Sequence, residues 1–210
     1  MTTILLTGFG PFPGAPFNPT APLVERLAGL RRPALADINI VPHVFATSYA
    51  AVDHELPRLI ARHRPDALLM FGLAPRTRFI RIETRARNAI ALLPDVGGAK
   101  PGRRAIAAGE PAALAMPAPA RRLLAAARAA RLPAALSRDA GRYLCNYLCW
   151  QAALAARKGP NVGPRIAAFV HVPNVAHKPQ RRGKKPRFTL NDLTLAGGRI
   201  LAEVAAAARR

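Results

Sequence analysis

Residues 48–72 read SYAAVDHELPRLIARHRPDALLMFG. The first part, 48–63, reads as a helix. After a short break at Arg64 and Pro65, residues 66–72 form an apolar run of strand length, bounded by a turn. A helix feeding a buried strand is the repeating unit of a parallel sheet, and the same alternation extends in both directions. Before it, 3–7 reads as a short buried strand and 8–14 as the start of a proline-punctuated loop running to Asn18. A helix follows from about Pro19 to Leu30, with Asn18 as its cap, and 38–45 is a second strand. After it come a helix at about 120–131, a strand at 134–137, a helix at 144–158, a strand at 165–172 and a closing helix at 189–209. Thr189 and Asp192 are spaced as a capping box. The pattern predicts an α/β fold: a single-domain three-layer sandwich over residues 1–210, with a mostly parallel twisted sheet and helices on both faces.

Two segments fit the alternation less simply. Residues 79–90 read as a strand with Ile80, Ile82 and Thr84 on one side and Arg81, Glu83 and Arg85 on the other, which predicts one packed face and one open face. Residues 93–119 are rich in Pro and Gly and read as a long surface loop. In sheets of this type functional loops gather at the carboxyl ends of the strands. That draws attention to 8–14, 72–78, the helix start at Cys145, and His171.

Composition narrows the function classes. The chain has 210 residues, half of them hydrophobic, which is enough for one substantial core. No apolar run is long enough to cross a membrane, and the N-terminus has no secretory pattern, so a cytoplasmic location is expected. Lys and Arg number 32 against 11 Asp and Glu, a formal net charge of +21. Such a field attracts nucleic acid through phosphate contacts that carry no sequence information. The densest stretch is a basic loop at 177–188, in which six of the ten residues 178–187 are Lys or Arg.

Several familiar chemistries fail on their motifs. Gly8-Phe9-Gly10 follows a strand as a dinucleotide fingerprint would, but the third glycine position is Pro13. A phosphate-binding Gly-Lys-Ser/Thr loop and a Gly-x-Ser-x-Gly elbow are absent from the sequence. The five histidines, His43, His54, His63, His171 and His177, form no zinc-protease pattern, and the two cysteines form no zinc pair, so no metal site is expected. His54 and His63 fall on a surface helix, His177 falls in the basic loop, and His43 reads as a satisfied, partly buried side chain.

Cys145 is different. It opens a long apolar helix just after Gly141, where backbone N–H groups favour negative charge, and this position suits a thiol nucleophile. Cys149, one turn on and followed by Trp150, reads as core. His171, at the end of a strand, can take the thiol proton. Glu83, an acid in the basic stretch 81–87, can either pair with its neighbouring arginines or hold the second imidazole nitrogen of His171. Nucleophile, base and orienting acid are the three types that such chemistry requires.

Several separated motifs together resemble pyroglutamyl peptidase type I, also called pyrrolidone-carboxylate peptidase. They are TGFGPFPG (7–14), NPT (18–20), GLAPRTR (72–78), IETRARN (82–88), LPD (93–95), AGRYLCNY (140–147) and FVHVP (169–173). The resemblance runs nearly end to end. It implies a cofactor-free cysteine exopeptidase that removes an N-terminal pyroglutamyl residue from peptides, assembled as a homotetramer. It places the family's catalytic residues on Glu83, Cys145 and His171, and its apolar ring pocket on Phe9, Phe12, Tyr143 and Leu144, with Asn18 as a polar contact. The family's Arg shortly before Ile-Pro-Asp has no counterpart in Ala91-Leu92-Leu93-Pro94-Asp95, which implies slower turnover or a replacement donor such as Arg85 or Arg87. The alternative reading is a catalytically weak or inactive member of the same fold that binds acidic polymers through its basic surface.

Overall fold

The computed structural model describes residues 1–12, 14–159, 162–176 and 188–210. Its elements, in chain order, are β1 (Thr2–Phe9), α1 (Thr20–Ala28), β2 (Ile38–Phe45), α2 (Tyr49–His63), β3 (Ala67–Leu73), β4 (Ile80–Glu83), β5 (Arg85–Arg87), β6 (Ala113–Ala115), α3 (Ala120–Ala129), β7 (Ala134–Ser137), α4 (Leu144–Arg157), β8 (Ile166–Val172) and α5 (Leu190–Ala208). A single 3-10 turn, Pro33–Leu35, lies between α1 and β2. Six strands form one sheet in the order β2-β1-β3-β8-β4-β7. The pairings among β2, β1, β3 and β8 are parallel, whereas β4 runs antiparallel to β8 and parallel to β7. The predicted mostly parallel α/β sandwich is therefore the observed one.

Period-two alternation sorts the side chains into two cores. On one face, Ile4 and Leu6 of β1, Leu69 and Phe71 of β3, Ile80 and Ile82 of β4 and Val170 of β8 pack with Leu23 and Leu27 of α1, Leu123 of α3 and Ile200 and Val204 of α5. On the other, Leu5 and Phe9 of β1, Leu68 and Met70 of β3 and Phe169 of β8 pack with Val52 and Leu56 of α2 and Leu148 and Trp150 of α4. The same alternation points Gly72, Arg81, Glu83 and His171 toward the side covered by α2 and α4. The capping box at the start of α5 is formed, with Thr189 accepting from the Asp192 N–H and Asp192 from the Thr189 N–H.

Four expectations need correction. The strand expected over 79–90 is two strands broken at Thr84, because the chain leaves the main sheet there and β5 pairs antiparallel with β6 in a separate ribbon. The long surface loop over 93–119 contains β6 and contributes Ile106, Leu114 and Met116 to the core; these buried side chains outweigh its Pro and Gly punctuation. The open face of β4 is covered, and Glu83 is 1% exposed. Asn18 does not occupy the α1 cap position, which is Pro19; its Oδ1 accepts instead from the N–H and hydroxyl of Thr20. The basic stretch 177–187, including His177, lies outside the described residues, and Phe188 bridges to Val175.

Candidate active site

Cys145 is the second residue of α4, which starts as the chain turns from an extended Tyr143 (φ −112°) into the helix. The first N–H groups of a helix have no partner within it, so those beside Cys145 can receive an oxyanion. Gly72, near the end of β3, lies directly beneath. A Cβ added there would fall 2.8 Å from the Cys145 sulfur and 2.6 Å from the Phe169 ring. Only glycine leaves room for the thiol.

His171 stands near the carboxyl end of β8 and is 4% exposed. Its Nδ1 lies 2.8 Å from Glu83 Oε1, and it hydrogen-bonds the Cys145 thiol on its other side. Burial alone would lower the imidazole pKa. The negative charge of Cys145 and its hydrogen bond, followed by those of Glu83, outweigh burial and push it up to about 9. For Glu83, burial would raise the carboxyl; the hydrogen bond and charge of His171, then Ser137 and Arg81, outweigh it and hold Glu83 below the usual range. Each partner thus stabilises the other's charged form.

The two cysteines have opposite surroundings. Cys145 is partly exposed at the site, whereas Cys149 is fully buried, and burial, followed by the charges of Cys145 and Glu83, pushes its thiol well above the ordinary value. Its place is in the core with Trp150. His43 is satisfied by Glu55, at 2.7 Å, and stands edge-on to Phe45.

A cavity of about 220 Å³ opens onto the thiol and the imidazole. All five residues expected at the ring pocket, Phe9, Phe12, Asn18, Tyr143 and Leu144, line it together with Cys145 and His171. Asn18 already uses its amide within the loop, donating to the Gly10 carbonyl and accepting from Thr20. Tyr143 is anchored by a 2.9 Å hydrogen bond from its hydroxyl to the Pro94 carbonyl. Among the described residues no cluster of three or more His, Cys, Asp or Glu could hold a metal ion, and no helix is long and apolar enough to cross a membrane.

The structure adds residues that sequence reasoning missed. Thr47 also lines the cavity, and its hydroxyl donates to the Gly10 carbonyl. Asn146 is fully buried, accepting from the Arg87 N–H and donating to the carbonyls of Arg87 and Ala89, so it clasps α4 to the segment after β4. Gly72 and Asn146 fall inside the motifs GLAPRTR and AGRYLCNY; nothing in the sequence around Thr47 marked it. Arg85 and Arg87 are engaged elsewhere, Arg85 with the Arg138 carbonyl and Arg87 with Asp139 at 3.4 Å. Neither lines the cavity, whereas Arg142 does.

A thiol at a helix start, a buried imidazole and a buried carboxylate, opening on an apolar cavity, are the equipment of nucleophilic acyl transfer as cysteine peptidases perform it. The family model for pyroglutamyl peptidase matches residues 2–208, and the chain belongs to that family. It is 30% identical over 207 residues to the pyrrolidone-carboxylate peptidase of Pyrococcus furiosus, covering 96% of this chain and 97% of that one. It is 34% identical over 203 residues to the pyrrolidone-carboxylate peptidase of Gloeobacter violaceus, covering 96% and 95% respectively. The crystal structure of pyroglutamyl peptidase I from Bacillus amyloliquefaciens superposes with a TM-score of 0.85 at 28% identity, covering 98% of each chain.

Proposed function

We propose that this protein removes the N-terminal pyroglutamyl residue from peptides, with Cys145 as nucleophile, His171 as general base and acid, and Glu83 as the group that orients His171. The observation that carries the proposal is the continuous Glu83–His171–Cys145 arrangement at the cavity mouth, within a chain of this family. With its pKa near 9, His171 holds a proton at neutral pH next to Cys145. The sulfur attacks the pyroglutamyl carbonyl, a C–S bond forms, and the carbonyl electron pair moves onto oxygen, where the N–H groups at the start of α4 receive it. As the pair returns, the C–N bond breaks and His171 gives its proton to the leaving amine. Neutral His171 then takes a proton from water, the hydroxide attacks the thioester, and the C–S bond breaks to release pyroglutamate.

Phe9, Phe12, Tyr143 and Leu144 offer the uncharged lactam ring an apolar wall, which favours it over a protonated N-terminus. Asn18 acts by holding the loop after β1 that carries Phe12. The proposal extends to one domain over residues 1–210, in keeping with a family match over residues 2–208, to a cytoplasmic location, expected from the sequence pattern, and to a homotetramer, which rests on the family resemblance. Attraction of nucleic acid to the basic surface is proposed only as non-specific and salt-sensitive. The test is hydrolysis of a chromogenic pyroglutamyl amide: Cys145→Ala abolishes it and Cys149→Ala leaves most of it. Hydrolysis that survives in Cys145→Ala refutes the proposal.

A further inference from the structure

The residue opposite His171 across the β4–β8 pairing is Arg81. Residues directly opposite in an antiparallel pair have Cβ atoms about 4.5–5.5 Å apart, so a guanidinium stem stands beside the imidazole. Arg81 Nη2 lies 3.0 Å from Glu83 Oε1, the same oxygen that is 2.8 Å from His171 Nδ1. The same nitrogen donates to Ser137 Oγ at 2.7 Å and to the Asp139 carbonyl, which fixes the guanidinium from two further sides. The Glu83 side chain is 0% exposed and that of Arg81 19%. Glu83 Oε2 has no hydrogen-bond partner, so both contacts fall on one oxygen.

In the reaction proposed above His171 is alternately charged and neutral. If it were the only cation at Glu83, each proton transfer to the leaving amine would leave a buried carboxylate hydrogen-bonded to neutral His171 but without a counter-charge. Desolvation would then raise the Glu83 carboxyl and pull a proton back to it. We propose that Arg81 is a positioning residue of this site: a permanent counter-cation that aims Glu83 at His171 and balances its charge while the imidazole is neutral. The inference rests on the assignment of Cys145, His171 and Glu83. Other charged or titratable groups also face the pair: Arg142 and Tyr143 line the cavity beside Cys145 and His171. From α4 come Cys145, whose charge acts on His171, and Cys149, which itself feels the charges of Cys145 and Glu83. Beyond β4 and β7, Arg87 is paired with Asp139 and Arg85 is bound to the Arg138 carbonyl. β3 presents Gly72.

The test compares Arg81→Gln and Arg81→Lys with the parent, reading the pH dependence of Cys145 alkylation by iodoacetamide and of kcat/KM for a pyroglutamyl amide. Removing a nearby cation favours the protonated form of every neighbouring group. Both limbs of each profile in Arg81→Gln therefore move upward by about one pH unit, with KM little changed, because Arg81 is not in the cavity wall. Lys keeps the charge and restores the parent profile. A fall in rate with both limbs in place, or a Lys variant displaced as far as the Gln variant, overturns the inference. Should Arg81→Gln unfold, adding Glu83→Gln restores folding if the role is charge balance, and a double variant as unstable as the single one contradicts it. Alkylation needs no pyroglutamyl substrate. The predicted shift without any amide hydrolysis would refute the proposed function and leave the role of Arg81 standing.

Discussion

His171, the proposed general base, is also linked to the stability of the fold. Its pKa rises from 6.5 to about 9 in the folded protein, so folding favours its charged form. A raised pKa contributes stability that is fully present below the unfolded value and lost as pH rises through the folded one. The thermal midpoint should therefore fall between pH 6.5 and about pH 9. Because the charge of Cys145 is the largest influence raising the imidazole, Cys145→Ala should flatten that slope, while Cys149→Ala leaves it as it is. Differential scanning fluorimetry across this range checks the expectation, and equal slopes in the parent and Cys145→Ala would contradict it. At this scale the sequence was informative where residue chemistry was rare: one acid in a basic stretch, one cysteine at a helix start, one histidine at a strand end. It set Arg81 on the strand face of Glu83 and allowed a pairing between them, as observed, but nothing singled Arg81 out from Arg85 and Arg87 until the strand pairing set it opposite His171.

At the scale of elements, the site depends on how α4 is held against β5 and the segment that follows it. Asn146 makes three hydrogen bonds, each 2.9 Å, to the backbone of Arg87 and Ala89. Asn146→Ala leaves those backbone groups without partners in the core, which costs about 3 kcal/mol. In a protein of this size that lowers the melting temperature by roughly 6–12 °C. A melting temperature within a degree of the parent would show that water or a shift of α4 replaces the clasp. The elements that sequence located well are those with strong periodic patterns, such as β3, α4, β8 and the capped α5. The ribbon of β5 and β6 was not legible, because three-residue strands are too short for alternation to register and their partner is chosen by tertiary packing. Likewise, alternation along β4 located Glu83 on one face but could not tell that this face would be covered.

For the whole molecule, fold and family were legible because the helix–strand alternation and the ordered motifs extend over nearly all of the chain. The net charge of +21 bears on solubility and non-specific attraction, and its densest stretch lies outside the described residues. Local patterns could not bring residues of β1, β3, α4 and β8 around one cavity, since none encodes which side chains converge; the ordered motifs of the family resemblance named most of the set. The claim that rests on that convergence is a covalent intermediate on Cys145. It is tested most directly by mixing the protein with a pyroglutamyl amide, quenching in acid within the first turnovers, and locating any added mass by fragmentation of the peptide that spans both cysteines. The account predicts one pyroglutamyl group on Cys145, absent from Cys145→Ala and retained in Cys149→Ala. A pyroglutamyl group on Cys149, or amide hydrolysis that continues without Cys145, would contradict it.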